Sequence, residues 1–179
     1  MQLRPVRAQD LTPMRDFVRS LSAASRQARF HGGIKPDSER LLRYLSQADG
    51  VHHIAFVAVL ACDDGDVIVG EARCVRAASG ESSAEFAIAV ADAWQGRAVA
   101  PRLLHALRRA AAAAGIRTLF GDVLAGNARM AAFMRRHGFA PAGAAAGGVQ
   151  RWSGYAPCDR LAAPGSPLRE PGNASLPAA

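Results

Sequence analysis

Apolar positions recur early in the chain at intervals of three and four. Leu11, Met14, Phe17, Val18 and Leu21 follow Asp10, which predicts a helix with one buried face and Asp10 as its N-cap. Leu3 and Val6, ahead of it, predict a short strand over residues 3–6. The polar stretch SAASRQARFHGG shows no such period and ends in a Gly32-Gly33 break. Pro36, Asp37, Ser38 and Glu39 then open a second predicted helix carrying Leu41, Leu42 and Leu45.

The pattern changes in the middle of the chain. HHIAFVAVLA is apolar on both alternating faces, as in a strand covered on both sides, and CDDGD turns it into the return strand VIVGEARCVRA. A third strand spans residues 82–90. Ala84, Phe86, Ile88 and Val90 share one of its faces, and Glu85, Ala87 and Ala89 share the other.

Helical spacing returns over residues 97–114, with Val99, Leu103, Leu107, Ala110 and Ala114 in one stripe and Arg102, Arg108 and Arg109 largely off it. Gly115 stops this helix, and residues 118–124 read as a strand. Asn127 can cap a short helix over 128–137 that ends at Gly138. A weak strand from Phe139 is interrupted by GAAAGG and followed by a final strand over 149–155. The predicted order is β-α-α-β-β-β-α-β-α-β-β, an α/β (α+β) mixed sheet with helices on both faces. Residues 1–158 are expected to form one domain. Residues 159–179, rich in Pro, Gly and Ala, are expected to be a disordered tail.

Composition narrows the function classes. The chain has 179 residues, half of them hydrophobic, and a mean hydropathy of +0.01, as in a globular protein. No apolar run reaches the roughly 18 residues of a membrane span, and MQLRPVRAQD has no signal-peptide core, so a cytoplasmic protein without membrane contact is expected. The net charge of +7 comes from 22 Lys and Arg, of which only Lys35 is lysine. The arginines are spread along the chain, which argues against nucleic acid but favours an anionic ligand. Cys62, Cys74 and Cys158 lack metal-ligand spacing, as do the five histidines, so reduced thiols and no metal are expected.

The stretch WQGRAVAPRLL carries the first candidate chemistry. A strand ends at Val90, a turn follows, and a helix begins, so unpaired amides and the positive end of the helix dipole meet at one point. Gly96 adds backbone freedom there and Arg97 a cation.

The segment AEFAIAVADAWQGRAVAPRLLHAL, followed by LFGDVLAGNARMAAFMRRHGF, resembles the two central motifs of the GNAT N-acetyltransferases. That family's cradle reads Gln/Arg-x-x-Gly-x-Gly/Ala, and Gln95, Ala98 and Ala100 occupy its defining positions. Asn127 and Gly138-Phe139 match the second motif, and the resemblance extends over about residues 1–156. SLSAASRQARFHGG and SERLLRYLSQAD look closest to the GNAT domain of bacterial protein-lysine acetyltransferases.

The resemblance implies a mostly antiparallel sheet in which the strands at 82–90 and 118–124 splay apart around acetyl-CoA. Ile88, Ala89 and Val90 would pair with the pantetheine arm. Gln95, Gly96, Arg97, Ala98, Val99 and Ala100 would hold the pyrophosphate. Asn127 would meet the cofactor arm, with Phe133 packed beside it. Glu85 would be the general base for an acceptor amine, on a protein lysine or a small molecule, and its small neighbours Ala87 and Ala89 leave room for a ligand.

Three positions depart from the family pattern. Met134 stands where many members carry a proton-donating tyrosine. Ala98 replaces a glycine and is expected at negative φ, in a helical first turn. Pro101 removes one N–H from that turn. These departures raise a second reading, a non-catalytic acyl-CoA-binding or regulatory protein that keeps the fold. The expected assembly is a monomer or a homodimer.

Overall fold

A computed structural model of the chain describes residues 1–32, 35–63, 65–76 and 81–156. The predicted tail at 159–179, Cys158 and Gly33 of the predicted break lie outside the described residues. The elements are β1 (Gln2–Pro5), α1 (Leu11–Ser20), α2 (Ala23–Phe30), α3 (Glu39–Ser46), β2 (His53–Leu60), β3 (Val67–Val75) and β4 (Ser83–Val90). They continue with α4 (Val99–Ala113), β5 (Thr118–Leu124), α5 (Ala128–Arg136), β6 (Ala140–Pro141) and β7 (Val149–Tyr155). The strands form a seven-stranded sheet in the order β1-β2-β3-β4-β5-β7-β6. β4 and β5 run parallel and the other neighbours antiparallel.

Strand alternation divides the core between the two faces of this sheet. Ile54, Ala72, Cys74, Ala84 and Phe86 point to one side and meet Leu103, Leu104, Leu107 and Ala111 of α4 and Phe133 and Met134 of α5. Val57, Val59 and Ile68 point to the other and meet Met14, Phe17 and Val18 of α1 and Leu42 and Leu45 of α3. Each of these large side chains contributes about 1.5–3 kcal/mol through burial. The mixed α/β layering follows the expectation. The α4 stripe is rotated slightly from it: Leu104 and Ala111 are buried, whereas Ala110 and Ala114 are half-buried.

Two local expectations are corrected. The polar stretch after Leu21 is helical, as α2. Ser22 caps it by accepting from the Ser25 amide, and His31 ends it at φ +54°, donating its N–H to the Gln27 carbonyl. None of the residues of α2 is buried, so it shows no apolar period. Its readable signal is a serine cap before a run of Ala, Arg and Gln.

Asp10, in turn, does not cap α1 through its side chain. Its carboxylate receives both guanidinium nitrogens of Arg4 at 2.7 Å and the Arg7 amide at 2.8 Å. This ties β1 to the 3-10 turn ahead of α1. Burial alone would raise the Asp10 pKa; the Arg4 hydrogen bond leads the forces that hold it below the usual range.

Candidate functional site

The site begins where the sheet opens. β4 and β5 pair over Ser83–Thr118, Ala84–Leu119 and Glu85–Phe120, and the recorded pairing ends there. β5 instead stays with β7 along its length, from Thr118–Tyr155 to Leu124–Val149, and follows it away from β4. The opening starts at a tight contact. A Cβ on Gly121 would lie 2.9 Å from the Phe86 carbonyl oxygen, so only glycine fits there.

The free edge of β4 can be read from the ladder on its other side. The Ala91 amide donates to the Val69 carbonyl at 2.9 Å. Antiparallel alternation then turns the backbone of Ala89 and Ala87 toward Glu71 and Arg73 in β3. The N–H and C=O groups of Ile88 and Val90 therefore face the opening. Of the expected backbone set, Ile88 and Val90 turn their backbone groups toward the opening. Ala89 spends its backbone on β3 and offers only its methyl group to the cleft.

The opening is a cleft of about 1240 Å³, lined by α2, β4, the loop into α4, β5 and α5. At its cradle end Gly96 has φ +78° and Ala98 has φ +57°. The expectation of a negative φ at Ala98 is thus overturned: it stands just before α4, in the left-handed region that favours glycine, at a cost of about 1–2 kcal/mol. Pro101 lies in the first turn of α4, where its missing N–H had no carbonyl within the helix to lose. Neither α4 nor α5 has an acidic residue in its first turn, so the positive helix ends are left uncompensated.

The expected cradle side chains divide. The Gln95 Nε2 group donates to the Val90 carbonyl at 3.1 Å and to Ser25 Oγ at 3.3 Å, and its Oε1 accepts from Arg129 at 2.6 Å. Gln95 therefore joins the loop to both α2 and α5. The Arg97 guanidinium lies over the Trp94 ring at 5.3 Å, and Arg97 is not among the residues lining the cleft. Gly96, Ala98, Val99 and Ala100 line it.

Asn127 caps α5 by accepting from the Met130 amide at 3.0 Å, as expected, and lines the cleft with Phe133. Phe133 packs against His137 with the rings tilted by 48° and their centroids 4.4 Å apart. Burial, and then the charges of Arg108 and Arg136, lower the His137 pKa, so the imidazole is neutral near pH 7. Met134 is fully buried beside it.

Glu85 lies at the other end of the cleft, exposed, at the last point where β4 and β5 pair. α2 forms a further wall of the cleft and is anchored by charge. Glu71 is 1% exposed and accepts from Arg29 Nη2 at 2.7 Å and from Arg73 Nε at 2.9 Å. Burial alone would raise the Glu71 pKa. The charges of Arg73 and Arg29 outweigh it and keep the carboxylate ionised, which makes Glu71 an anchor and unsuited to be a base. Arg73 also donates to the Leu45 carbonyl at 2.9 Å and lies 2.9 Å from His53 Nε2.

At the N-terminus of α2, Asp92 accepts from Ser22 N, Ser22 Oγ and Ser25 Oγ, each at 2.9 Å. Glu71, Asp92 and Arg129 were not foreseen as parts of the site. Glu71 carries a readable signal, a charged residue inside an apolar strand, whereas the other two act only through tertiary neighbours. Among the described residues no helix is long and apolar enough to cross a membrane, and no group of three or more His, Cys, Asp or Glu is placed to hold a metal.

Known proteins resemble this chain in sequence and fold. A model of the acetyltransferase (GNAT) family matches residues 18–139. An acetyltransferase of Pseudomonas aeruginosa is 36% identical over 129 residues, which are 72% of this chain and 68% of that protein. The acetyltransferase Pat of Mycolicibacterium smegmatis is 32% identical over 136 residues, 76% of this chain; the chain spans only 40% of its length. Among solved structures, the GNAT domain of S. lividans PAT aligns with a TM-score of 0.79 at 26% identity, covering 86% of this chain and 89% of that one.

Proposed function

The chain belongs to the acetyltransferase (GNAT) family, and from that premise we propose that it moves an acetyl group from acetyl-CoA to a primary amine by direct attack in a ternary complex. The observation that carries this reading is the end of β4–β5 pairing at Glu85–Phe120, which sets a bare strand edge between a candidate base and a helix N-terminus.

The residues present suit such a cosubstrate. The outward N–H and C=O groups of Ile88 and the N–H of Val90 match the amides of an extended pantetheine arm, as an added strand would, while the Val90 carbonyl holds Gln95. The left-handed turns at Gly96 and Ala98 and the first amides of α4 suit a diphosphate. Acetyl-CoA supplies the activated acyl thioester. The chain orients it and manages the protons.

An amine attacks only when neutral. Glu85, exposed at the cleft wall, takes the proton of the incoming ammonium directly or through one water. Met134 is buried and has no proton to give, so the departing thiolate is protonated from solvent in the open cleft. The acceptor enters between α2 and the exposed face of β4. The resemblance of SLSAASRQARFHGG and SERLLRYLSQAD to protein-lysine acetyltransferases leads us to place a protein lysine ahead of a small amine. The unpaired thiols of Cys62 and Cys74 suit a reducing, cytoplasmic setting.

Calorimetry with acetyl-CoA tests the binding half of this reading: a single site is expected, and no heat at near-millimolar ligand would overturn it. Glu85→Gln tests the chemistry. Turnover of a lysine peptide or amine found by mass-spectrometric screening should fall about 10²–10⁴-fold with acetyl-CoA affinity unchanged. Equal turnover across pH would remove Glu85 from the mechanism.

A further inference from the structure

Arg129 is the second residue of α5, so its cation stands at the positive end of a helix. That placement is unfavourable by itself. The side chain lines the cleft and crosses to the phosphate-loop wall, where Nη1 donates to Gln95 Oε1 at 2.6 Å. Gln95 is held in turn by the Val90 carbonyl and Ser25 Oγ. A guanidinium has five donors in a planar fork, and this bond uses one of them. Gln95 therefore holds the fork against the loop that carries Gly96 and Ala98, its two left-handed residues. Arg97, the cation within the loop itself, is stacked on Trp94 and is not among the residues lining the cleft.

We propose that Arg129, pre-aimed by Gln95, is a ligand of the cosubstrate's pyrophosphate and supplies the cation that closes the cradle from the α5 side. The proposal rests on the reading of this cleft as an acetyl-CoA site and goes beyond it by naming a ligand outside the loop. An anion at this point also resolves the conflict between Arg129 and the helix dipole. The guanidinium keeps its bond to Gln95 and turns its remaining donors to phosphate oxygens, in charge-assisted bonds stronger than the one to a neutral amide.

Calorimetric titration of the full chain with acetyl-CoA, and with its 3′-dephospho form, tests this. Arg129→Gln should raise the Kd for acetyl-CoA about ten- to a hundredfold, from the loss of a charge-assisted bond. It should raise the Kd for the dephospho form by the same factor. Arg129→Lys, which keeps the charge without the fork, should fall between wild type and Arg129→Gln. Rising salt should weaken wild-type binding more steeply than that of Arg129→Gln.

An unchanged Kd in Arg129→Gln, with wild type binding normally, would overturn the role of Arg129 and leave the acetyl-CoA site standing. An effect seen with acetyl-CoA but lost with the dephospho form would move Arg129 to the 3′-phosphate and overturn the pyrophosphate assignment. No binding by wild type would remove the cosubstrate reading and this inference with it. The thermal melt of unliganded Arg129→Gln should match wild type, because the bond it loses is exposed.

Discussion

The two walls of the cleft are held by different forces. The loop from Gln95 to Ala100 presents backbone: left-handed turns at Gly96 and Ala98, then the open amides of α4. The α2 wall presents side chains and is anchored by charge, through Arg29 to the buried Glu71 and through Ser22 and Ser25 to Asp92. A wall made of backbone suits a cosubstrate whose anionic part never varies. A wall made of side chains can be altered to suit different acceptors while the left-handed turns of the loop stay in place, provided Ser25 keeps its bond to Gln95. On the proposed reading, this division assigns acceptor selectivity to α2 and cosubstrate binding to the loop.

The largest expected effect comes from cutting the charged anchor. Glu71→Ala leaves Arg29 and Arg73 without their carboxylate in a dry site and should destabilise the fold by about 3–5 kcal/mol, read from urea unfolding. Glu71→Gln keeps hydrogen-bond acceptors and should cost less. A loss below 1 kcal/mol in Glu71→Ala would mean that α2 is held by something other than this anchor.

The same pairing sets the response to acid. Glu71 and Asp10 are held below their ordinary carboxylate pKa, and His53 and His137 below that of histidine, His53 by burial first and then by the Arg73 charge. In each case the unfolded chain takes up the proton first, so stability rises with pH. Urea midpoints should fall as pH drops through about 6.5, where unfolded histidine titrates, and again below about 4.3. A midpoint flat down to pH 4 would contradict the neutral state of the two histidines.

Asp92→Ala releases the N-terminal end of α2 but not Arg29, and should cost about 1 kcal/mol. It should raise KM for the acceptor while leaving acetyl-CoA affinity unchanged. An equal loss for both ligands would erase the proposed division between the walls. The smallest effect is expected on the loop itself. Ala98→Gly relieves the left-handed strain but adds backbone entropy to the unfolded chain, for a net gain of about 0.5–1 kcal/mol and a Tm higher by about 1–4 °C. A lower Tm would show that Ala98 is not left-handed in solution.

Much of this arrangement was legible from the chain itself, wherever a local rule imposes a residue. Alternation over Ala84–Val90 separated the core face from the face of Glu85 because a strand has period two. Asn127 declared its capping role because a helix start needs a side-chain acceptor. The WQGRAVA turn was recognisable because a loop feeding a helix exposes its amides whatever surrounds it. α2 was missed because it buries no face of its own and so has no period to display. Ala98 was misjudged because φ at a helix entry depends on the direction from which the chain arrives.

By itself, then, the sequence determined the mixed sheet, the strand–loop–helix turn and the capping of α5, set by neighbours within a few residues, and its family resemblance supplied the candidacy of Glu85. Only the tertiary structure decided that β5 leaves β4 after Phe120, that Arg129 and not Arg97 lines the cleft, and that Glu71 ties α2 to the sheet. Each of these is a contact between residues far apart in the chain, and no local periodicity records who meets whom across a fold.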